Sequence, residues 1–468
     1  MLEVLEKING FIWGIPALIM IIGVGLYISV RTGFAQLTLL PRAFSLFISR
    51  FCSKDNGSDG VSGYQALCTA LAATVGTGNL AGVAGAIAIG GPGAIFWMWV
   101  CALLGMVTKF AEAVLAVRYR ERNQAGEWVG GPMYMIRQGM GKRWHFLAGI
   151  YCFLGVVASF GVGNATQINT VLGGVNSVLT AAGVAESAWI NLAIGTALAV
   201  LITRMFLGGA GSIGKAAEKL VPFASVAYLL LCVIVLFLCA DQIPNAFSAI
   251  LEGAFQPRAV TGGMLGSAFV ALRIGASRGV FTNEAGMGTA AIAHGSAQVE
   301  HPVEQGMMGI MEVFLDTIVI CTMTALVILC SGIIIPYGED QGILLTANAF
   351  STVFGDWVRV LIMLLLCCFA IATVLGWGLY GARCAQYLFG EHAWRPFVYL
   401  QAVTVIAGAV LRTDTVWLLA EIVNGLMAIP NLIALACLSP ELIRLTKEYK
   451  RKYIKRESAV WSRQKPLL

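Results

Sequence analysis

The stretch ALAATVGTGNLAGVAGAIAIGGPGAIFWMWV, residues 70–100, is apolar enough to cross a membrane, yet it is weakened at its centre. That centre, ATVGTGN at 73–79, holds two glycines, two threonines and an asparagine. Glycine destabilises a helix interior, and threonine and asparagine side chains compete for its backbone hydrogen bonds. Hydrocarbon cannot satisfy the backbone groups that unwinding frees, so a break is tolerated only beside a cavity or packed protein. The sequence therefore predicts a discontinuous helix whose freed groups can bind a ligand.

The composition around this stretch is that of a polytopic, all-α membrane protein. The chain has 468 residues, 58% of them hydrophobic and 12% charged, and its mean hydropathy is +0.79. Hydropathy in windows of about 19 residues predicts eleven spans, with limits 11–30, 63–90, 92–117, 146–172, 188–206, 217–240, 263–290, 305–332, 357–382, 394–411 and 415–438. The first lacks a small-residue cleavage site and a basic flank, so we expect a retained helix and not a signal peptide.

The distribution of lysine and arginine predicts the orientation. Placing the N-terminus outside puts 24 of the 31 basic residues in inward connections and the C-terminal tail, and three in outward connections. This asymmetry predicts an outside N-terminus and a cytoplasmic C-terminus. It also explains the net charge of +6 without a nucleic-acid partner. Lys109 and Arg359 lie near span ends, where we expect them to snorkel to the interface.

Without the first span, ten remain, which divide into two groups of five. An odd number of spans per group inverts the second group relative to the first, as in inverted-repeat transporters. The predicted segments are 1–61 for the first helix and its connection, 62–240 and 241–440 for the two repeats, and 441–468 for a basic tail. The first span of the second group is also interrupted, by GASRGVFTNEAGMGTA at 275–290. Close helix packing on small residues would explain one such segment, but two at corresponding positions favour a binding site.

Several polar residues lie at membrane depth. Asn164 and Gln167 are three apart and share a helix face, where they either bond another helix or bind a substrate; we favour substrate binding for Gln167. Asp316 lies well inside its span, four residues after Glu312. A buried carboxylate needs a cation or donors, so we favour cation coupling over an ion pair with Arg278 or Arg273.

Two apparent motifs and the cysteines carry no site. GAGSIGKA at 209–216 lacks the serine or threonine that completes a phosphate-binding loop, and no strand precedes it, so we expect a cytoplasmic loop. HGSAQVEHPVEQ at 294–305 matches no zinc template and predicts a solvated loop. The 12 cysteines form no C-x-x-C pair, which makes a disulfide framework or a zinc site unexpected.

Long stretches resemble the alanine/glycine:cation symporter family of prokaryotes. They are TALAATVGTGNLAGVAGAIAIGGPGAIFWMW, RYRERNQAGEWVGGPMYMI, GVFTNEAGMGTAAIAHG and DTIVICTMTALVI. The resemblance covers nearly the whole chain. It implies sodium-coupled symport of small neutral amino acids, in the bacterial inner membrane, by a protein with the leucine-transporter fold and one extra N-terminal helix.

The resemblance also implies site residues, because VGTGN is similar to the VGLGN pattern of the broken helix in that fold. On this match the substrate carboxylate is faced by Ala73, Thr74, Thr77 and Gly78. Sodium ligands would be the carbonyls of Ala72 and Val75, the side chain of Asn79 and, from the ninth span, Ala370 and Thr373. Val374 stands where the fold often has a second hydroxyl, a departure that implies a weaker or differently shaped site.

Further candidates complete the predicted sites. Asp316 joins the sodium ligands, and Asn164, Gln167, Ser277 and Asn283 join the substrate contacts. Phe160 and Trp377 lie one turn from Asn164 and Thr373, so they either pack in the core or cap a small cavity.

The expected function is therefore sodium-coupled uptake of alanine or glycine by alternating access, with Na⁺ as coupling ion and no other cofactor. Proton coupling in the same fold is the alternative. A channel would need a continuous polar lining, and an enzyme would need a nucleophile with a base or metal ligands, so neither is expected. The choice of amino acid, D or L preference, stoichiometry and oligomeric state stay open.

Overall fold

The computed structural model describes residues 2–13, 15–52, 60–255, 268–339, 341–410 and 414–454, most of which are helical. The α-helices are α1 (Leu2–Ile12), α2 (Ile15–Thr32), α3 (Ala35–Thr38), α4 (Leu40–Cys52), α5 (Gly63–Thr74), α6 (Val83–Gly90), α7 (Gly93–Arg118), α8 (Pro132–Gly139), α9 (His145–Phe160), α10 (Thr166–Ala181), α11 (Ala188–Leu207), α12 (Gly209–Leu238), α13 (Ile243–Phe255), α14 (Ala268–Asn283), α15 (Thr289–Gly295), α16 (Pro302–Val313), α17 (Thr322–Cys330), α18 (Ile343–Phe354), α19 (Val358–Phe389), α20 (Trp394–Val410) and α21 (Asp414–Tyr449).

Short elements connect or interrupt these helices. π-helical segments cover Gly78–Gly82, Gly161–Ala165, Phe314–Cys321 and Lys450–Ile454, and 3₁₀ turns cover Lys142–Trp144, Ala240–Gln242 and Glu391–Ala393. The strands are β1 (Val61–Ser62), β2 (Glu121–Arg122), β3 (Trp128–Val129) and β4 (Ala297–Gln298). β1 pairs with β4 in parallel, with Val61 opposite Ala297, and β2 pairs with β3 as an antiparallel hairpin. We call the end of the molecule that holds both strand pairs the strand end.

The protein is an all-α polytopic membrane protein, as predicted. By length and composition, eight described helices could cross a membrane, or nine when the bent pair Gly63–Thr74 and Gly78–Gly90 counts as one span. The first predicted span lies in the shorter helix α2, and the seventh divides into α14 and α15, with 263–267 outside the described residues. The amphipathic helices α4 and α13 and the short helix α18 were not predicted.

The first break forms where the sequence predicts it. α5 begins with a capping box, in which Ser62 Oγ accepts from the Gln65 N–H and Gln65 Oε1 accepts from the Ser62 N–H. The helix ends at Thr74 because Val75 is extended, with φ −76° and ψ 97°. A π-helical turn follows, and the two halves meet at an angle of 51°.

The second break is shorter than predicted. α14 continues to Asn283, and the chain unwinds only over 284–288, where Gly286 and Gly288 have φ of 93° and 76°. The expected interruption from Gly275 onward is wrong, because that glycine serves helix packing. A Cβ on Gly275 would lie 2.3 Å from the Ala94 carbonyl oxygen of α7. The close approach of two helices, and not unwinding, explains the first part of this motif.

Candidate functional site

Asn79 holds the first break against the π-helical segment that carries Asp316. Its Oδ1 accepts from the Gly76 N–H at 2.8 Å, so the side chain satisfies a backbone group that the break frees. Its Nδ2 donates to Asp316 Oδ1 at 2.7 Å and to the Asp316 carbonyl at 3.2 Å. Both side chains are fully buried. Asn79 and Asp316, each predicted separately as a sodium ligand, are thus in direct contact.

A hydrogen-bond chain continues from Asp316 to the second broken helix. Thr317 Oγ1 donates to Asp316 Oδ2 at 2.7 Å, and Asn283 Nδ2 donates to Thr317 Oγ1 at 3.1 Å. Asn283 is the last residue of α14, so the chain joins the two interrupted helices. The carboxylate therefore lies among donors, whereas Arg278, the partner considered for it, pairs with Glu421.

Thr373 touches the first break from α19. Its Oγ1 donates to the Phe369 carbonyl at 3.0 Å, which leaves the oxygen lone pairs for another partner. A Cβ on Gly76 would lie 2.5 Å from this oxygen. Only glycine therefore fits there. The contact brings Thr373, one turn beyond Ala370, to the end of α5 that carries the carbonyls of 72 and 75.

Gln167 faces the same break from α10. Its Oε1 accepts from Thr77 Oγ1 at 3.1 Å, and its Nε2 donates to the Val162 carbonyl at 3.2 Å. A cavity of about 520 Å³ opens beside these residues, and Thr77, Gly78, Thr170 and Phe281 belong to its wall. The freed backbone of the break is therefore next to open space, as the sequence predicts.

Other predicted residues lie away from this cavity wall. Ala73 packs against Gly376, and Thr74 Oγ1 donates to the Ala70 carbonyl within its own helix. Asn164 Oδ1 accepts from Gln401 Nε2 at 3.5 Å, which is the helix-to-helix alternative. Ser277 lines a separate cavity of about 300 Å³.

The two aromatic candidates pack in the core. Phe160 stacks on Phe397 with ring centroids 5.1 Å apart. Trp377 is 1% exposed, and its Nε1 donates to Glu284 Oε1 at 2.6 Å. Neither belongs to the wall of the 520 Å³ cavity. The packing interpretation of both residues is the one that this geometry supports.

A protein carboxylate occupies the second break. Glu112 Oε1 accepts from the N–H groups of Gly286 and Gly288, both at 3.0 Å, and from Asn431 Nδ2 at 2.7 Å. These N–H groups begin the half-helix α15, whose N-terminus attracts negative charge. Sequence reasoning missed Glu112, although a carboxylate within an apolar span is itself a signal of function.

A buried ion pair lies close to this break. Lys109 Nζ is 3.0 Å from Glu312 Oε1, and His294 Nε2 is 2.9 Å from Glu312 Oε2. All three side chains are fully buried. The prediction that Lys109 snorkels is wrong, because α7 is packed on several sides and the residue has a counter-ion within reach. The prediction of a solvated loop at His294 is also wrong, because this residue belongs to α15.

Two more sequence expectations need correction or detail. GAGSIGKA forms the first turns of α12, so the expected loop is wrong. His301 is the N-cap residue of α16, and its Nδ1 accepts from the Val303 N–H at 3.2 Å. Burial holds the pKa of His301 below its ordinary value, which keeps that nitrogen available as an acceptor.

Comparison with known proteins identifies the family of this chain. The sodium:alanine symporter family model matches residues 1–463. The sodium/alanine symporter AgcS of Methanococcus maripaludis is 41% identical over 455 residues, which cover 96% of this chain and 97% of that protein. The "Probable sodium/glutamine symporter GlnT" of Bacillus subtilis is 35% identical over 459 residues, 96% of this chain and 92% of that one.

A solved structure establishes the fold. The crystal structure of MhsT in complex with L-phenylalanine superposes with a TM-score of 0.57 at 15% identity, and the match covers 83% of this chain and 99% of that one. The discontinuous helices are thus part of a leucine-transporter-like fold. By its family match and its full-length relatives, this chain is a member of the sodium:alanine symporter family of sodium-coupled amino-acid transporters.

Proposed function

We propose that the protein takes up a small neutral amino acid, alanine or glycine foremost, together with Na⁺ by alternating access. The observation that carries this proposal is the first helix break, where Thr77 and Gly78 line a cavity of about 520 Å³, while Asp316 and Thr373 contact Asn79 and Gly76 of the same break. An amino acid needs donors for its carboxylate and acceptors for its ammonium group. Unwound backbone offers both.

The substrate carboxylate is proposed to bind at the first break and not at the second. The N–H groups at Gly286 and Gly288 already bind Glu112, so that half-helix has its anion. Gly78 lies on the cavity wall of the first break, and so does Thr77, whose hydroxyl donates to Gln167. Thr77, Gly78 and Gln167 are therefore the foremost substrate contacts.

Two groups of oxygens are proposed to hold Na⁺. The first comprises Asn79 and Asp316, which share a buried hydrogen-bond network. The second comprises Thr373, the carbonyls of 72 and 75 at the end of α5, and the carbonyl of 370, one turn before Thr373 on α19. A carboxylate, a hydroxyl and backbone carbonyls are ligands suited to hard cations. Val374 is apolar, which removes one possible ligand from the second group.

The proposed orientation follows the distribution of charge. The strand end carries the connections that are rich in lysine and arginine, so it is placed in the cytoplasm. The cavity at the first break is bounded by Ile343 at the start of α18, on the opposite side. Substrate would then enter from outside, in the inner membrane of a bacterium.

The identity of the amino acid rests on the family and on the names of its members. AgcS is named a sodium/alanine symporter and GlnT a sodium/glutamine symporter, so members of this family differ in substrate. Phe160 and Trp377 were expected to make the pocket small, but they pack elsewhere. Phe281 of α14 is an aromatic residue on the cavity wall and is proposed to limit substrate size instead.

Uptake of radiolabelled alanine into proteoliposomes tests the proposal, with external Na⁺ replaced by K⁺ or choline at fixed pH. We expect saturable uptake that requires Na⁺, with glycine as a competitor and glutamine as a weak one. Uptake that follows a proton gradient without Na⁺ would instead support the alternative coupling ion. A current that stays linear with substrate concentration would refute the carrier.

Asp316→Asn separates cation binding from substrate binding. The amide keeps one oxygen but removes the charge that offsets an ion in a low-dielectric site. Half-maximal uptake should then need more Na⁺, with alanine affinity recovered at saturating Na⁺, because coupling between two ligands is reciprocal. Unchanged Na⁺ dependence with lost alanine affinity would place Asp316 in the substrate pocket.

A further inference from the structure

Two cavities meet away from the strand end, and one ion pair belongs to both walls. The first is the cavity of about 520 Å³ at the first helix break, and the second, of about 300 Å³, lies beside α1. Arg278 and Glu421 line both cavities. Arg278 Nη1 lies 3.7 Å from Glu421 Oε1, and the side chains are 26% and 25% exposed. The ion pair therefore stands at the junction between the break and the outer cavity.

The N-terminal helix holds the acidic member of this pair. Asn9 Nδ2 of α1 donates to Glu421 Oε2 at 2.7 Å, so one carboxylate oxygen is held while the other faces Arg278. Trp13, just beyond the end of α1, donates from its Nε1 to the Glu421 carbonyl at 2.8 Å. Side chain and backbone of Glu421 are thus both fixed from the same segment.

The close approach of α1 depends on a glycine in α21. A Cβ on Gly425, one turn after Glu421, would lie 2.3 Å from Ile12 Cγ2 and 3.3 Å from Trp13 Nε1. Small residues let two helices approach closely within a membrane protein. Both helices therefore contribute to the contact. The N-terminal segment supplies the Trp13 indole and the Asn9 amide, and α21 supplies Gly425, one turn from Glu421.

We propose that α1 is a positioning element for the outer mouth of the substrate pathway, in which Asn9 and Trp13 hold Glu421 opposite Arg278. Exposed ion pairs are weak partly because two mobile side chains must be ordered together. Fixing Glu421 in advance removes part of that cost and favours the paired, narrowed state. Opening the mouth then requires the pair to separate. The direction of substrate entry rests on the proposed function, but the narrowing itself can be measured without substrate.

A cysteine in the inner cavity reports how open the mouth is. Thr170 of α10 lies on the cavity wall and is partly buried, so Thr170→Cys is a conservative reporter. Its labelling by a membrane-impermeant methanethiosulfonate is followed in proteoliposomes of known orientation. Labelling of the parent chain, in which Cys52 and Cys437 are exposed, is subtracted. Because no amino acid is added, a failure of alanine uptake leaves this measurement intact.

Removing the side-chain amide of Asn9 should open the outer mouth of the substrate pathway. Asn9→Ala is expected to raise the labelling rate about tenfold, near the lower end of the factors that correspond to a lost hydrogen bond to a charged group. Trp13→Phe, which keeps the ring but lacks the donor, should raise the rate by a smaller factor. The control is Asn245→Ala on α13, an exposed asparagine far from Glu421 in the chain that bonds only its neighbour Gln242 among the described contacts, whereas Asn9 is half-buried. It should leave the rate unchanged.

The decisive comparison uses the ion pair itself. Glu421→Gln should raise the rate on its own, and Asn9→Ala should then add nothing, because residues that act through one contact are not additive. A role of α1 in general stability would give the same added effect in both backgrounds. An unchanged rate in Asn9→Ala, or an equal increase with and without Glu421→Gln, would overturn the proposal.

Discussion

Replacing Lys109 by methionine should cost far more stability than replacing a cation on the same helix that faces solvent. Lys109 lies 3.0 Å from Glu312, and both side chains are fully buried. Methionine keeps most of the apolar stem but leaves the carboxylate without its cation. Removing one partner of a buried ion pair costs about 3–5 kcal/mol. The hydrogen bond between His294 and the other oxygen of Glu312 offsets part of this loss, so we expect the lower end of that range.

Arg118 provides the control on α7. It lies 2.7 Å from Glu441, but its side chain is 48% exposed. Exposed pairs contribute about 0–1 kcal/mol, so Arg118→Met should be nearly neutral. The free energy of unfolding is measured in detergent by tryptophan fluorescence. The double variant Lys109→Met/Glu312→Gln should regain most of the loss, because no unpaired charge remains.

Equal losses for the two single variants would refute the reasoning, and so would a double variant that is no more stable than Lys109→Met. The first result would mean that burial does not decide the contribution of the pair. The second would mean that the methionine disturbs packing and that the stranded carboxylate is not the cause.

Three further outcomes are expected. Thr373→Ala removes a hydroxyl oxygen beside the first break, so half-maximal alanine uptake should need more Na⁺; an unchanged Na⁺ dependence would exclude this residue as a ligand. Trp377→Phe removes the donor to Glu284 and should lower the free energy of unfolding by about 1.5–3 kcal/mol, without admitting leucine in competition assays. Leucine uptake would return Trp377 to the pocket. Burial holds the pKa of His301 below its ordinary value of about 6.5. The free energy of unfolding should therefore fall as the pH drops through that value, because the unfolded form protonates first, and it should level off once the folded form also protonates. His301→Asn, which can still begin the helix, should remove this dependence of the unfolding midpoint on pH, and a persistent slope would assign it to another group.

Hydropathy and glycine content were enough to locate the first break. Val75, Gly76 and Asn79 lie in a span with too little helix propensity to stay wound, and that property is local to the sequence. The contact between Asn79 and Asp316 follows from the fold, which the resemblance implied. Gly76, Asn79 and Asp316 could be singled out because each departs from the apolar composition of its own span.

The second break and the aromatic candidates could not be located so well. Gly275 has the same local signature as Gly76, but it serves the packing of α14 on α7. Trp377 is one turn from Thr373, yet it points to Glu284. Whether a residue faces a cavity or a neighbouring helix depends on long-range packing, which one sequence does not contain.

Lys109 and His294 show the same limit for charges. Both lie where hydropathy places the edge of a span, and solvent is then the simplest environment to assume. Their common partner Glu312 belongs to α16, which is distant in the chain from Lys109 and is the next helix after that of His294. The burial of such a charge could be predicted only together with its counter-charge, and which residues pair depends on the tertiary structure.

The parallel pairing of β1 with β4 limits how the strand end can move. β1 leads directly into α5, and β4 follows α15 after a single residue, so the pair connects the half-helices of both discontinuous helices at this end. Two half-helices joined by this backbone pairing have fewer independent motions than two half-helices that are not joined. A displacement of either half-helix at the strand end must carry the other with it or separate Val61 from Ala297, so the two half-helices move together for as long as this pairing holds.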